Sequence, residues 1–162
     1  MISIIVAVAE NNAIGKNNEL LWHISGDMKR FKALTTGHPV VMGKRTWASL
    51  PKRPLPDRTN IVITDDPADH FEGCIMAWSI EEALSKCNPD DETFIIGGAS
   101  VYRQILPVTD RLYLTKVNKA FEGDVFFPEI NYGDWMLKLK EDFPPDDKND
   151  FSYTYMIYDR KR

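Results

Sequence analysis

The sequence predicts an α/β fold: a central, mostly parallel β-sheet of about eight strands, flanked by about four helices, with an antiparallel C-terminal strand. Short apolar segments alternate with helical segments over the first two thirds of the chain, a pattern typical of parallel strands joined by helices. The alternation then stops. Two strand-like segments, residues 135–140 and 151–158, flank a polar stretch, which indicates an antiparallel pair.

The first strand is predicted at residues 2–9, a nearly unbroken apolar run rich in Ile and Val. It is too short for a typical helix and reads as a strand buried on both faces. The other predicted strands are residues 40–43, 60–64, 74–78, 93–96 and 111–117. The predicted helices are residues 25–34, 43–50, 79–86 and 99–106, the third of them opened by a capping box at Ser79 and Glu82.

Composition favours one soluble domain over residues 1–162, since 43% of the residues are hydrophobic and 27% are charged. A formal net charge of −4 gives no general attraction to nucleic acid or anionic lipid. No apolar run approaches the roughly 20 residues of a membrane helix, and the N-terminus lacks the features of a signal peptide. We therefore expect a cytoplasmic monomer that binds neither nucleic acid nor membrane.

The cysteines and histidines give no sign of a metal site. Cys74 and Cys87 form no C-x-x-C pair, and we interpret them as small buried hydrophobic residues. The three histidines are scattered without the spacing of metal ligands, so no structural metal is expected.

Asp27 stands out in the helix predicted after Ser25, which is interpreted as its N-cap. At helical spacing the apolar side consists of Ile24, Met28, Phe31 and Leu34, and Asp27 falls on this side. A carboxylate there loses hydration unless a partner offers N–H donors, and a ligand could be that partner. The alternative is a helix cap, because an acid in the first turn complements the helix dipole.

Three other segments carry signals for binding. The loop at residues 10–19 contains apolar Ala13 and Ile14 among asparagines, which suggests a flap that closes over a ligand; a plain surface loop is the alternative. The turn at residues 43–46 places Lys44 and Arg45 at a helix start, which suits an anion. The glycines are spaced wrongly for a P-loop, and the two basic residues could simply be solvated.

The segment 51–58 has three prolines in eight residues and is predicted to be extended and stiff. Leu55 and Arg58 project from it, and a guanidinium can grip a carboxylate in two places; a solvated loop is the alternative. Gly97 and Gly98 join a strand to a helix, where they allow close approach of the backbone to a bound group. This is the strongest cofactor signal, although it is not a G-x-G-x-x-G fingerprint.

These motifs occur in the order IGKNN, Trp22 with Asp27 and Phe31, MGKRTW, RPLPDRTNIVIT, FIIGG with Tyr102, and FEGDVFFP. In that order the chain resembles the bacterial dihydrofolate reductases over essentially its full length. The resemblance implies reduction of 7,8-dihydrofolate to tetrahydrofolate with hydride from NADPH, and binding of antifolate inhibitors. Asp27 would hold the 2-amino group and N3 of the pterin and favour the protonated ring, and burial should raise its pKa.

The resemblance also implies roles for individual residues. The residues implied in catalysis are Asp27, Trp22, the flap residue Leu20, and Thr115, whose hydroxyl would bond Asp27; Asp124 would hold the closed flap. The residues implied in substrate binding are Ile5, Asp27, Met28, Phe31, Lys32, Leu50, Arg53, Leu55, Arg58, Ile96 and Thr115, with Arg58 as the clamp on the glutamate α-carboxylate.

The implied cofactor site surrounds the nicotinamide and the phosphates of NADPH, and by analogy the Gly97–Gly98 peptide is cis. Its members are Ala7, Ile14, Gly15, Lys16, Asn18, Gly43, Lys44, Arg45, Thr46, Ile63, Thr64, Asp65, Gly97, Gly98, Ala99, Ser100, Val101, Tyr102 and Gln104.

Some positions depart from the pattern of the family. Leu21 and Ser25-Gly26 stand where prolines are common, and Ala99 replaces a frequent third glycine. Asp65 stands where a hydroxyl or basic residue often faces the 2′-phosphate of the cofactor. A carboxylate repels phosphate, so we expect NADPH to be preferred over NADH less strongly than usual.

Two other functions stay open at this point. A pyrimidine reductase of riboflavin synthesis shares the fold, but that family lacks the set Trp22, Asp27, Phe31 and Arg58. A non-catalytic nucleotide-binding module would use Asp27 only as a helix cap. Oxidation of NADPH with dihydrofolate, or with a pyrimidinone, would separate these readings.

Overall fold

The computed structural model describes residues 1–15, 24–147 and 150–162, and of Ser25 only the backbone. Ten strands and four α-helices lie in these ranges. The strands are β1 Ile2–Ala9, β2 Ala13–Gly15, β3 Pro39–Gly43, β4 Thr59–Ile63, β5 Cys74–Ala77, β6 Thr93–Gly97, β7 Arg111–Val117, β8 Val125–Phe126, β9 Trp135–Phe143 and β10 Tyr153–Arg160. The helices are α1 Ser25–Thr35, α2 Lys44–Ser49, α3 Ile80–Ser85 and α4 Ala99–Ile105, with short 3₁₀ turns at Leu106–Val108 and Tyr132–Asp134.

Eight strands form one sheet in the order β5-β4-β3-β6-β1-β7-β10-β9. Every pairing from β5 to β7 is parallel, whereas β10 runs antiparallel to both β7 and β9. The fold class predicted from the sequence is therefore confirmed, including the antiparallel C-terminal strand. The loop after β1 also contains a short strand: β2 pairs with β8 in a separate two-stranded sheet.

The two faces of the large sheet carry separate hydrophobic cores. Residues of β1 alternate between them: Ile4 and Val6 pack with the core that contains Ile105 of α4, and Ile5 packs with the core that contains Phe94. Because β1 is covered on both faces, its sequence is apolar at nearly every position. This explains why the bounds of β1 could be predicted correctly.

The start of α1 differs from the prediction. The residue at the N-cap position is Ile24, with extended backbone, and Ser25 is already helical. Ile24 is buried with Val117 and Tyr153 in a third cluster, so burial of an apolar side chain fixes the entry into the helix. The interpretation of Ser25 as the N-cap was therefore wrong by one residue.

Three smaller expectations are corrected in part. Met28 is 41% exposed and does not share the burial of Ile24. Cys74 and Cys87 are half-buried free thiols rather than fully buried residues. At α3 the hydroxyl of Ser79 accepts the N–H of Glu82 (3.0 Å), but the carboxylate of Glu82 accepts from Trp78 instead of Ser79, so only half of the capping box forms.

Within the described ranges, the helices are all too short or too polar to cross a bilayer.

Phe94 in β6 lies at the centre of the hydrophobic core on one face of the sheet, and its replacement tests that core. Its side chain is fully buried, with ring centroids 5.4 Å from His38 and 5.7 Å from Tyr113. Phe94→Ala is expected to lower the free energy of unfolding by about 3–5 kcal/mol, because the cavity cannot be filled by its strand neighbours. Urea denaturation measures this. The matched substitution Phe126→Ala, at a side chain 46% exposed, should cost less than about 1 kcal/mol. Equal losses would contradict the assignment of Phe94 to the core.

Candidate active site

Asp27 lies in the first turn of α1 and reaches the central sheet. Its Oδ1 accepts a hydrogen bond from the hydroxyl of Thr115 on β7 at 2.6 Å, and 22% of its side chain is exposed. Among the described residues, the hydrogen bond to Asp27 comes from the sheet and not from the backbone of its own helix. This geometry favours the ligand-binding interpretation of Asp27 over the helix cap.

Arg30 follows Asp27 by one helical turn and lies beside it. Its Nη1 is 4.0 Å from Oδ1 of Asp27, and its guanidinium lies 3.8 Å from the ring centroid of Tyr155 and 5.2 Å from that of Phe143. Nη1 of Arg30 is buried and has no hydrogen-bond partner within the described part of the chain. Arg30 was missed at the sequence level, although a charged residue three positions after Asp27 was a usable signal.

Burial raises the pKa of Asp27 above its ordinary value of 3.8. The hydrogen bond from Thr115 and the positive charge of Arg30 both oppose this shift, and burial outweighs them. Burial also raises the pKa of the two tyrosines on this side, Tyr153 and Tyr155, the latter to about 12, so neither carries charge at neutral pH. The site therefore combines one acid of raised pKa with one buried cation.

Several residues assigned to cofactor binding meet at the carboxyl edge of the parallel strands. Ala7 of β1 is opposite Thr115 of β7, Met42 of β3 is opposite Gly97 of β6, and Gly43 is opposite Ile63. Crevices at this edge are where open α/β sheets bind ligands. The sheet thus places the acid and the predicted cofactor residues at one edge.

The glycine pair lies at the centre of this edge. The Gly97–Gly98 peptide is cis, as the resemblance implied, and Gly97 has a φ of +139°. A Cβ at Gly97 would lie 2.9 Å from Oγ1 of Thr46, so a larger residue would collide with α2. The hydroxyl of buried Tyr102 donates to the carbonyl of Ile5 at 3.0 Å, which ties α4 to β1. Bare backbone is therefore presented between two helix starts.

The rest of α4 is divided between core and surface. Val101 and Tyr102 are buried in the hydrophobic core, and Ala99 is half-buried. Gln104 is exposed and donates to the carbonyl and the hydroxyl of Ser100.

The apolar residues assigned to substrate binding are grouped by the structure. Ile5, Leu50, Leu55 and Ile96 are partly buried against the core that contains Phe94. Around them, Phe31 is half-buried, whereas Met28, Lys32 and Arg53 are exposed.

Arg58 is held on the segment that follows α2. Its Nε donates to the carbonyl of Pro56 at 2.8 Å, and its Nη1 donates to the hydroxyl of Thr35, at the end of α1, at 3.2 Å. The segment itself is fastened by Asn60. The Asn60 side chain bonds both the N–H and the carbonyl of Leu55 and the carbonyl of Arg58 at 2.9–3.1 Å. Asn60 is 2% exposed and was also missed; an amide inside the apolar run NIVIT was the available signal.

Of the two basic residues at the start of α2, Lys44 forms an ion pair with an acid of another segment. Nζ of Lys44 lies 2.8 Å from Oδ2 of Asp69, and Arg45 is exposed. Thr64 is buried and donates its hydroxyl to the same oxygen of Asp69, while Asp65 is exposed beside it. Asp69 was not singled out from the sequence.

The second part of the predicted flap, residues 16–19, lies outside the described residues, and so do Leu20 and Trp22; Lys16 and Asn18 belong to this part. The described base of the flap is β2, where buried Ala13 and Gly15 pair with β8 and Ile14 between them is half-buried. The N–H of Asp124 donates to the carbonyl of Gly15 at 3.0 Å, so the segment before β8 contacts the base of the predicted flap.

The sheet and its edge define an α/β protein of the class that binds ligands in a crevice at the carboxyl ends of parallel strands. A family profile described as Dihydrofolate reductase matches residues 1–160. The chain belongs to the dihydrofolate reductase family.

Individual relatives agree with this assignment. The chain is 43% identical over 161 residues to dihydrofolate reductase of Bacillus subtilis (strain 168), covering 99% of this chain and 95% of the relative. It is 41% identical to dihydrofolate reductase type 3 of Salmonella typhimurium, covering 100% and 99%. A solved structure of dihydrofolate reductase from Enterococcus faecalis, complexed with NADP(H) and RAB-propyl, superimposes with a TM-score of 0.92 at 37% identity, covering 100% of this chain and 97% of that one.

Arg30→Met is expected to raise the pKa of Asp27 further, because it removes the positive charge that opposes the effect of burial. Methionine keeps an apolar contact with Tyr155 and removes the unpartnered donor. Carboxyl ¹³C NMR titration of the unliganded protein measures the change. The control Arg103→Met, at an exposed residue of α4, should leave the pKa of Asp27 in place, and an unchanged or lower pKa in Arg30→Met would contradict the coupling.

Proposed function

We propose that the chain reduces 7,8-dihydrofolate to 5,6,7,8-tetrahydrofolate with hydride from NADPH. The observation that carries the proposal is the pair Asp27 and Thr115, which places a half-buried carboxylate of raised pKa at the carboxyl edge of the sheet. Relatives named dihydrofolate reductase, including one solved with NADP(H), support the same reaction. The direct test is the loss of nicotinamide absorbance when NADPH and dihydrofolate are mixed with the protein; decay with a pyrimidinone alone would overturn the proposal.

Asp27 binds the pterin ring in this proposal. A carboxylate offers about four acceptor positions, and Thr115 occupies one of them on Oδ1. The 2-amino group and N3 of the pterin can take others as paired N–H donors. This pairing replaces the hydration that Asp27 loses in the cleft and favours the protonated ring, which accepts hydride more readily.

The residues at the glycine edge fit NADPH. Gly97 and Gly98 expose backbone where a Cβ would meet Thr46, and the cations of Lys44 and Arg45 lie at the next strand end. Bare backbone suits the diphosphate of the dinucleotide, and the cations of Lys44 and Arg45 suit its 2′-phosphate. When bound, NADPH supplies the hydride. The chain would supply the position: Ala7, Ile14 and Tyr102 would hold the nicotinamide, and Thr64 would act together with the two cations.

The substrate side is formed by the partly buried group Ile5, Leu50, Leu55 and Ile96, with Arg58 beyond it. These apolar side chains offer a surface for the ring systems of folate and of antifolate inhibitors. Arg58 is prepared for a carboxylate, because its bonds to Pro56 and Thr35 fix the guanidinium before a ligand arrives.

The proposal also takes residues 1–162 as a single domain that acts as a monomer in the cytoplasm, without nucleic acid or membrane as a partner. The net charge of −4 supports the absence of a nucleic-acid partner.

Asp27→Asn is expected to lower turnover at neutral pH by about 10²- to 10⁴-fold, the usual effect of losing assistance to proton transfer. Asparagine keeps an oxygen that can accept the Thr115 hydroxyl but cannot favour a protonated pterin. The loss should shrink at low pH, where the substrate is already protonated. Steady-state rates across pH measure this, and Asp90→Asn, an exposed residue, is the matched control. An undiminished rate at neutral pH would return Asp27 to the role of a helix cap.

Arg58→Ala is expected to raise the KM for dihydrofolate much more than the KM for NADPH, because it removes the clamp on the glutamate carboxylate. Initial rates with each substrate varied in turn measure the two constants. The control Arg103→Ala removes an exposed arginine of α4 and should change neither constant. Equal increases of both constants in Arg58→Ala would contradict the clamp.

A further inference from the structure

Asp69 occupies a position that the proposed reaction does not use. Its Oδ2 lies 2.8 Å from Nζ of Lys44 and accepts the hydroxyl of Thr64 at 2.6 Å. The side chain of Asp69 is 15% exposed, whereas that of Lys44 is 48% exposed. The carboxylate is therefore held against the end of β4, and the lysine is the more exposed member of the pair.

The turn that carries Asp69 is fixed by its own hydrogen bonds. The N–H of Asp66 donates to the hydroxyl of Thr64 at 3.2 Å, and the carboxylate of Asp66 accepts the N–H of Ala68 at 2.9 Å. The turn thus presents the acids Asp65, Asp66 and Asp69 close to Lys44. The hydrogen bond between Lys44 and Asp69 raises the pKa of Lys44 and lowers that of Asp69, so both side chains are charged at neutral pH.

A phosphate that binds at Lys44 competes with Asp69 for the same ammonium group. The phosphate also approaches a fixed carboxylate of like charge, which disfavours its binding. An otherwise identical ligand without that phosphate meets neither obstacle. The ion pair therefore lowers the affinity for the ligand that carries this phosphate and leaves the affinity for the other ligand unchanged.

We propose that Asp69 is a specificity-determining residue that weakens the selection of 2′-phosphorylated over unphosphorylated adenine nucleotides by engaging Lys44 in an internal ion pair. The inference rests on the proposed function, which places the 2′-phosphate of the cofactor beside Lys44. The expected weakening of the preference for NADPH over NADH is thus assigned to Asp69 and not to Asp65, whose carboxylate is exposed.

Asp69→Asn tests the inference, because asparagine keeps an acceptor for the Thr64 hydroxyl and removes the charge. The dissociation constants of adenosine 2′,5′-bisphosphate and of 5′-AMP are measured by calorimetry. The Kd of the bisphosphate is expected to fall by roughly fivefold, because the ammonium group of Lys44 is released from its partner and a charge of the same sign as the phosphate is removed. The Kd of 5′-AMP should be unchanged, which also shows that the variant is folded. The ratio of kcat/KM for NADPH to that for NADH should rise by a similar factor.

Two further variants identify the mechanism. Asp66→Asn removes a negative charge from the same turn and leaves the ion pair of Lys44 intact, so the gain in affinity for the bisphosphate should be smaller. In a Lys44→Met background the gain from Asp69→Asn should disappear, because the two residues act as a coupled pair. Equal gains in Asp66→Asn and Asp69→Asn would overturn the proposal by showing that the general field of the turn sets the preference.

An unchanged or raised Kd for the bisphosphate in Asp69→Asn would also overturn the inference, since the carboxylate would then position Lys44 for phosphate rather than compete with it. If one of these results is found and the unaltered chain still oxidises NADPH with dihydrofolate, the proposed function stands and the inference alone fails. If the unaltered chain does not oxidise NADPH, both fail.

Discussion

The hydrogen bond between Thr115 and Asp27 joins the helix that carries the acid to the sheet that carries the residues proposed to bind the cofactor. It is possible because β1 and β7 run parallel in a register that places Ala7 opposite Thr115 at the edge of the sheet. Burial raises the pKa of Asp27, so the stabilisation this group gives is full below its unfolded pKa and is lost as the pH rises through its folded pKa. Ionisation of Asp27 therefore opposes folding, and the rest of the fold must compensate for it.

The free energy that compensates for the ionised Asp27 comes from the two hydrophobic cores and from a loop held by hydrogen bonds. The apolar layers on both faces of the sheet leave β1 and β6 little freedom, which fixes the edge where Gly97 lies. Asn60 fastens the segment that carries Leu55 and Arg58 by three hydrogen bonds from one amide. A rigid frame of this kind positions binding groups in advance, so less entropy is lost when a ligand binds.

The sequence predicted the strands well and singled out Asp27, because both leave local signals. Apolar runs mark strands covered on both faces, and Asp27 interrupts an apolar helix face. The start of α1 was misplaced because burial of Ile24 by Val117 and Tyr153, both distant in sequence, overrides the capping preference of Ser25. Arg30 and Asp69 escaped prediction for a related reason: each acquires its role through a partner that only the packing of separate segments brings near.

The antiparallel strand β10 makes the site depend on contacts between distant parts of the sequence. It lies between β7 and β9 and supplies Tyr155, which covers the guanidinium of Arg30 beside Asp27. Asp27 and Arg30 belong to the first helix, so their site is covered on this side only when β10 has paired with β7. Contacts of such large separation along the chain are the slow ones to form in folding.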